Sequence, residues 1–371
     1  MARREWDVVA QLAFQLMNKR LEGAGDQLLD LLLQAVKEDN GDRGWNHLSF
    51  ASRSLEFMVP SPKTARQIGT TVVKWLANWA GSEPRSTRRR VALNRLETVN
   101  GLLNAGPESR KSVSAAVIDS LEQLIEGAPE KQRSAAIEVA LAILNPSRLI
   151  LRNSHEDLDG GLDEAIMNLL VARRLHYSVP GVGLEALRRR EIKLKDFVVT
   201  FGAPALFSSY SSNIFWAHWP SPAASLVAQA IFSDHSDTIR KDLEYVGEVL
   251  QQTPMPWVAE QSARNVYNEY WRARPIEKPP VDWTPDAMFG LFCLLAVGLE
   301  GRRSSERRSM ILSLEQQTSP MVVSIQRIVS ARYMKEERSA AALEAGAVGF
   351  NHRQRALADL WITRKASLVR H

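Results

Sequence analysis

The sequence has almost no cysteine: among 371 residues the one thiol is Cys293, inside the apolar run FGLFCLLAVGL. A single cysteine cannot form a disulfide within its own chain, and a cysteine-built zinc site needs several thiolates. The sequence therefore excludes a disulfide-stapled domain and a zinc site of that kind. We expect a reducing, cytoplasmic location.

Long apolar runs are also absent. The run around Cys293 is only about a dozen residues long, whereas a helix that crosses a bilayer needs about 20. It therefore predicts a buried helix, and we expect no membrane association. The N-terminal segment MARREWDVVAQLAF begins with basic residues, but polar residues interrupt its apolar positions. It does not resemble a secretory signal.

Alternating apolar and polar runs, the mark of strands, are rare. Apolar residues instead recur at three- and four-residue steps, which predicts an all-α fold. With 45% hydrophobic residues the chain can bury a sizeable core. The segment 191–201 is the one place where the pattern allows a small strand pair. The predicted helices are 5–22, 24–37, 45–59, 63–80, 86–104, 108–127, 130–144, 164–176, a short one ending near 190, 223–233, 236–252, 256–273, 285–300, 306–316, 320–345 and 352–368.

Proline spacing suggests a helical repeat. Pro84, Pro107 and Pro129 precede three successive helices of similar length. This spacing favours stacked helical hairpins, either solenoid-like or in an irregular multi-helix bundle. Polar and proline-rich stretches near 150 and 280 predict three helical domains, 1–150, 151–280 and 281–371, with an aromatic-rich junction in the central one.

Familiar catalytic signatures are missing. The chain contains no G-x-x-x-x-G-K-[ST], H-E-x-x-H or G-x-S-x-G. The segment GVGLEA at 181–186 fits a dinucleotide-binding pattern, but that pattern needs a preceding strand, and here Pro180 and a helix precede it. A turn before a short helix accounts for it better, so no cofactor is predicted.

Two features between 148 and 164 raise an enzymatic alternative. Arg148 and His155 have the spacing of a catalytic pair in helical ribonucleases, yet arginine is so frequent in this chain that chance alone supplies such pairs. An acidic cluster follows, but it lacks the glycine and glutamate of a calcium loop. We therefore predict no catalytic residue and no metal ligand. The cluster comprises Glu156, Asp157, Asp159, Asp163 and Glu164.

Basic clusters are the better functional lead. The net charge is +5, and arginine provides most of the positive charge. The first and third clusters fall at predicted helix starts, where the helix dipole disfavours cations, so we expect an anionic partner there. The alternative is a solvated face. The clusters are Arg88, Arg89 and Arg90; Arg188, Arg189 and Arg190 with Lys193 and Lys195; and Arg302, Arg303, Arg307 and Arg308.

The segment SSNIFWAHWPSP at 211–222 concentrates aromatic side chains. We predict a short helix that carries Phe215, Trp216 and Trp219. These rings either fill the core between helical layers or anchor a partner at the surface.

These observations support three functional hypotheses. The leading one is a non-enzymatic helical interaction or adaptor protein, a subunit of a larger cytoplasmic assembly with a protein partner. The first alternative is a nucleic-acid-binding protein whose arginine clusters contact phosphates. The second is a helical ribonuclease or metal-dependent enzyme centred on 148–164. The sequence leaves the oligomeric state open.

Overall fold

The structure is a computed structural model, and it describes residues 7–39, 41–82, 93–144, 161–212, 218–232, 236–252, 258–272, 283–316, 320–333 and 340–370. These ranges contain 18 α-helices and four strands of two residues each. The predicted all-α fold is confirmed.

The chain forms two compact units. Unit 1 comprises Met1–Leu175 with Ser211–His218, and unit 2 comprises His176–Tyr210 with Trp219–His371. The division into three domains at 150 and 280 stays a prediction.

Unit 1 contains eight helices in the described ranges. They are α1 (Asp7–Arg20), α2 (Ala24–Glu38), α3 (Asp42–Ser54), α4 (Pro62–Ser82), α5 (Leu93–Leu103), α6 (Pro107–Gly127), α7 (Glu130–Leu144) and α8 (Gly161–Ala172). Helix α3 packs against α5, α4 against α6, and α6 against α8, while neighbours such as α6 and α7 also touch. Contacts of both kinds are those of stacked helical hairpins.

Unit 2 contains the remaining helices. They are α9 (Pro180–Arg188), α10 (Leu194–Phe201), α11 (Pro222–Phe232), α12 (Asp237–Gln252), α13 (Glu260–Arg272), α14 (Pro285–Glu300), α15 (Ser304–Glu315), α16 (Pro320–Tyr333), α17 (Ala340–Gly346) and α18 (His352–Ile362). Helix α14 is central, since it packs against α11, α12, α13 and α16. It is apolar on all sides because neighbours surround it. Cys293 is buried within it, as predicted.

Proline sets many helix starts, because its fixed φ and missing N–H suit the first helical position. The helices that begin at a proline do so at Pro62, Pro107, Pro180, Pro222, Pro285 and Pro320. Side-chain caps also mark helix starts: Thr284, just before Pro285, accepts a hydrogen bond from the backbone N–H of Ala287, and Asn351 forms a capping box with Gln354.

The small strand pair that the pattern allows near 191–201 does not form there, since these residues contain helix α10. Leu194, Phe197 and Val198 recur at helical spacing and bury one face of it. Gly202 then ends the helix with a φ of 84°, which favours glycine. The short strands lie elsewhere: β1 (Tyr210–Ser211) pairs with β2 (His218–Trp219), and β3 (Val258–Ala259) pairs in parallel with β4 (Val369–Arg370).

The C-terminal helix is shorter than the predicted 352–368. Helix α18 ends at Ile362, and the chain then turns back over Glu300. The Glu300 carboxylate accepts backbone N–H groups from Leu368 and Val369 at 2.9 and 3.1 Å. These two backbone N–H groups therefore bond a buried carboxylate and not the carbonyl groups of a longer helix. The carboxylate needs such donors because buried polar groups must be paired.

In the described part of the chain, no helix combines the length and the apolar composition that crossing a bilayer requires.

Glycines let α12 and α14 approach closely in unit 2. A methyl group on Gly290 would overlap the carbonyl oxygen of Leu243, and one on Gly247 would lie 3.0 Å from the carbonyl oxygen of Asp286. This crossing fixes the position of α12, which carries Asp242 beside Leu243.

Gly290→Ala should therefore destabilise unit 2. We expect the free energy of unfolding to fall by about 1–3 kcal/mol, because added volume at a backbone contact forces the helices apart. Gly298→Ala in the same helix is the matched control, since its methyl would meet a side-chain methyl of Val266 at 3.3 Å. Denaturant unfolding should show little loss for the control, and equal losses for both variants would contradict this account of the crossing.

Candidate functional site

Helix α9 carries the glycines of the GVGLEA segment. A methyl on Gly181 would overlap the ring of Tyr210, and one on Gly183 would lie 2.7 Å from the ring of Phe201. Both glycines therefore admit aromatic rings against the helix backbone. They lie inside a helix that begins at Pro180, so they do not form a phosphate-binding loop.

The same helix buries a carboxylate. Glu185 has no solvent exposure, and its two oxygens accept four hydrogen bonds. Arg188 donates two of them, at 2.5 and 2.9 Å, and Arg189 donates one at 2.7 Å. The indole N–H of Trp219 donates the fourth at 2.7 Å. The carboxylate thus ties the end of α9 to the residues that precede α11.

Opposing effects act on the pKa of Glu185. Burial alone raises it, because a low-dielectric interior disfavours the ionised form. The hydrogen bonds and charge of Arg188, together with the bonds from Arg189 and Trp219, outweigh burial and hold the pKa below its ordinary value. Glu185 is therefore ionised at neutral pH, and its charge is matched inside the unit.

A strained arginine follows helix α9. Arg190 has a φ of 64°, a left-handed conformation that normally selects glycine. Its N–H bonds the carbonyl of Leu187 at 3.1 Å, and the N–H of Glu191 bonds that of Ala186 at 2.9 Å. These two bonds close the helix in the usual left-handed cap. A side chain held at such a position often serves a function.

These residues border a cavity of about 580 Å³ in unit 2. Its exposed lining residues are Arg188, Arg190, Lys193 and Thr238, and they mark the mouth. Its buried lining residues form the floor, namely Leu184, Leu194, Trp219, Pro222, Leu226 and Ile239. The cavity has the size of small-molecule sites, with a basic mouth over an apolar floor.

Asp242 is the carboxylate in the cavity wall. Burial raises its pKa to about 6 from an ordinary 3.8, and the charge of Arg190 opposes this rise. The carboxyl is half-buried, so keeping it ionised at neutral pH costs free energy. An anion near Asp242 must also overcome its negative charge.

The second basic cluster is thus divided by the structure. Arg188, Arg190 and Lys193 line the cavity, whereas Arg189 bonds Glu185, and Lys195 lies exposed on α10 outside the lining. Arg188 does both, since it borders the cavity and binds Glu185.

The third cluster has contacts within unit 2. Arg302 bonds the Arg264 carbonyl at 2.9 Å and Asn268 at 2.6 Å, and it stacks on the Tyr267 ring at 4.1 Å. Arg307 stacks on the ring of Tyr333 at 4.7 Å.

Helix α15 begins at Ser304, so Arg302 and Arg303 precede it and do not occupy its first turn. Arg303 is the cap residue, and its N–H bonds Glu306. Arg307 and Arg308 lie in or next to the first turn, with Arg308 exposed. Glu306 and the aromatic rings offset the unfavourable position of Arg302 and Arg307 near a helix start, and anion binding by this cluster stays a prediction.

Several predicted residues lie outside the described ranges. They are Arg88, Arg89, Arg90, Arg148, His155, Glu156, Asp157, Asp159, Phe215 and Trp216. Asp163 and Glu164 are described and lie in the first turn of α8. Within the described ranges, no three His, Cys, Asp or Glu side chains meet as a metal site would require.

Trp219 lies in strand β2 and not in the helix we predicted. Its side chain is 2% exposed and packs at 5.6 Å from the Tyr210 ring. It therefore behaves as a core residue of unit 2 and forms part of the cavity floor.

Sequence reasoning missed Glu185 and Asp242. The sequence pattern could have indicated Asp242, because it directly precedes Leu243 in the apolar stripe of Ile239, Leu243 and Val246 on α12. A charge beside such a stripe is half-buried. Glu185 lies inside an apolar helical run, three and four residues before Arg188 and Arg189, the spacing that pairs charges along a helix.

Comparison of the chain with protein-family models, with curated proteins and with solved structures finds no match. The functional proposal therefore rests on the geometry of this site.

Replacing Asp242 tests its environment. Because its folded pKa lies above the ordinary value, the stability that the protonated carboxyl contributes is present below pH about 4 and lost as the pH rises through about 6. We expect Asp242→Asn to be more stable than the wild type by roughly 1 kcal/mol at neutral pH, after allowing for solvent screening. The gain should vanish as the pH falls toward 4.

Urea unfolding at several pH values measures this difference. Asp237→Asn is the matched control, since Asp237 lies exposed in the first turn of the same helix. Its negative charge there stabilises the helix through the helix dipole. The control should lose a little stability. A gain for Asp242→Asn that does not change with pH would contradict the assignment.

Replacing Trp219 tests the buried network. Trp219→Phe keeps most of the ring volume but leaves Glu185 with one donor fewer, so we expect a loss of about 1–3 kcal/mol. Trp219→Ala also empties the ring site and should cost about 3–5 kcal/mol. Unchanged unfolding free energy in both variants would show that the ring is not part of the core.

Proposed function

We propose that this chain is a non-enzymatic helical interaction protein that binds the anionic group of a partner in the cavity of unit 2. The observation that carries this proposal is the convergence of Arg188, Arg190 and Lys193 on one cavity mouth. Arg188 also binds Glu185, and the charge of Arg190 acts on Asp242, but three cations border one opening, and such a basic cluster suits a carboxylate or phosphate ligand. Binding at this mouth gives Arg188, Arg190 and Lys193 of the second basic cluster a common role.

The backbone of Arg190 supports the proposal. Glycine at this helix end would relieve the left-handed strain, yet an arginine occupies it beside the cavity. Strain of about 1–3 kcal/mol at a residue is commonly kept where its side chain is used. The negative end of the α9 dipole offsets part of this cost, since it attracts cations.

Binding is favoured over catalysis. The described cavity wall contains neither histidine nor cysteine, and the charge that acts on its carboxylate, Asp242, is that of Arg190. A general acid–base pair needs two titratable groups poised on one reacting atom. The enzymatic hypothesis centred on 148–164 concerns mostly residues outside the described ranges and stays a hypothesis.

Nucleic acid remains the second candidate partner because the mouth suits phosphate. Single-stranded nucleic acid is usually held by exposed aromatic rings as well as cations. The aromatic ring of this cavity belongs to Trp219, which is buried. This arrangement favours an isolated anionic group over a stacked strand.

Arg190→Gly separates binding from stability. We expect binding of inorganic phosphate to weaken about ten- to hundredfold, the loss that follows from removing one charge-assisted hydrogen bond. The free energy of unfolding should stay unchanged or rise by about 1 kcal/mol, because glycine relieves the left-handed strain. Isothermal titration calorimetry and denaturant unfolding measure the two effects.

Arg174→Gly is the matched control. Arg174 also has a positive φ, 56°, and follows helix α8 in unit 1. Its replacement should relieve similar strain and leave phosphate binding intact. Wild-type protein that binds neither phosphate nor a short single-stranded oligonucleotide at low salt would refute the proposal. Tight binding of the oligonucleotide that Arg190→Gly leaves unchanged would place the nucleic-acid site elsewhere.

A further inference from the structure

The cavity of unit 2 has two chemically different ends. Arg188, Arg190 and Lys193 lie exposed at its mouth, whereas its floor is buried. A site that only captured inorganic anions would need the mouth but not the floor. The floor therefore defines the rest of the ligand.

The floor and its walls are aliphatic. Leu184, Leu194, Leu226 and Ile239 are buried there, and the half-buried Leu187 and Ile192 also line the cavity. The indole N–H of Trp219 is already bonded to Glu185, so this ring offers the cavity an apolar surface. Branched aliphatic side chains provide a surface that suits methylene groups and lacks the paired rings that hold a flat base.

We propose that this cavity binds a small amphipathic anion, with its carboxylate or phosphate head at the basic mouth and its aliphatic chain against the apolar floor. This inference rests on the proposed function, because it names the class of ligand for the same site.

The dimensions agree with this class. A space of about 580 Å³ falls within the range of roughly 300–1,000 Å³ that small-molecule ligands occupy. The side chains of Ser225, Gln229 and Thr238 add polar groups to the wall. They add hydrogen-bonding groups to an otherwise largely apolar wall.

Charge orients the ligand. The cations of the mouth attract an anion, although Asp242 opposes part of the attraction of Arg190, whereas the buried floor carries no charge. The head therefore lies toward Arg188, Arg190 and Lys193, and the chain extends toward Leu226. An uncharged alkyl ligand of equal length would make the apolar contacts of the floor but not the charged contacts of the mouth.

A series of alkyl carboxylates below their micelle concentrations tests this proposal on the full chain. Calorimetry is performed with hexanoate, octanoate and decanoate, with decanol as the uncharged analogue and inorganic phosphate as the head alone. Each buried methylene should raise affinity about fourfold, so two should raise it about fifteenfold. Decanol should bind at least about tenfold more weakly than decanoate, since it lacks the charge-assisted contacts.

Two variants test whether the aliphatic chain of the ligand lies against the floor of the cavity. Leu226→Trp fills the floor, and Ser225→Phe projects a ring from the half-buried wall without replacing a core residue. Both should weaken decanoate binding at least about tenfold while changing phosphate affinity much less, because neither alters the mouth. Arg190→Gly should weaken both ligands, and Arg174→Gly neither. Ser225→Phe keeps the test decisive if Leu226→Trp does not fold.

The outcomes separate the two proposals. Phosphate binding that depends on Arg190, with no gain from chain length, would overturn the amphipathic ligand and leave the proposed anion site intact. Equal binding of decanol and decanoate would also overturn it. Failure of every anion to bind would overturn both proposals. Chain-length dependence that Ser225→Phe does not alter would place the aliphatic site elsewhere and overturn this inference.

Discussion

The buried carboxylate of Glu185 is the constraint on which the cavity depends. An ionised group without solvent must have partners, or its desolvation would cost several kilocalories per mole. Arg188, Arg189 and Trp219 provide them, and in doing so they hold the end of α9 against the residues before α11. Two walls of the cavity are thereby joined through one side chain. This attachment holds the mouth and the floor of the cavity together, because Arg188 lines the mouth and Trp219 lines the floor.

The same solution occurs again in unit 2. Glu300 is buried and accepts the indole N–H of Trp361 at 2.5 Å, and Arg332 lies 3.3 Å away. Its other oxygen accepts the backbone of the C-terminal segment, and so positions β4 beside β3. In both networks a tryptophan provides bulk and one donor, while an arginine provides the charge. Glu300 organises the C-terminal segment, and Glu185 organises the candidate site.

Much of the helical architecture was predictable, because apolar spacing and proline positions are local signals. The run around Cys293 became the central helix α14, and α6 begins at Pro107 as its proline indicates. Prediction failed where tertiary contacts overrode local pattern. Residues after Ile362 looked helical, yet Glu300 binds the backbone of Leu368 and Val369. Leu194–Phe201 allowed a strand, but its buried residues follow helical spacing once they pack on one face.

The sequence by itself determined the fold class, most helix positions and the clustering of Arg188, Arg190 and Lys193, since all of these follow from neighbouring residues. Only the tertiary structure decided which cations face a cavity and which are used internally. Arg189 turns to Glu185 and Arg302 to the carbonyl of Arg264, although each looked equivalent to its neighbours in the sequence. Asp242 entered the site from a helix that begins more than forty residues after α9 ends. Such pairings depend on which buried charges meet across the folded chain, because electrostatic and desolvation energies are set by distance in space.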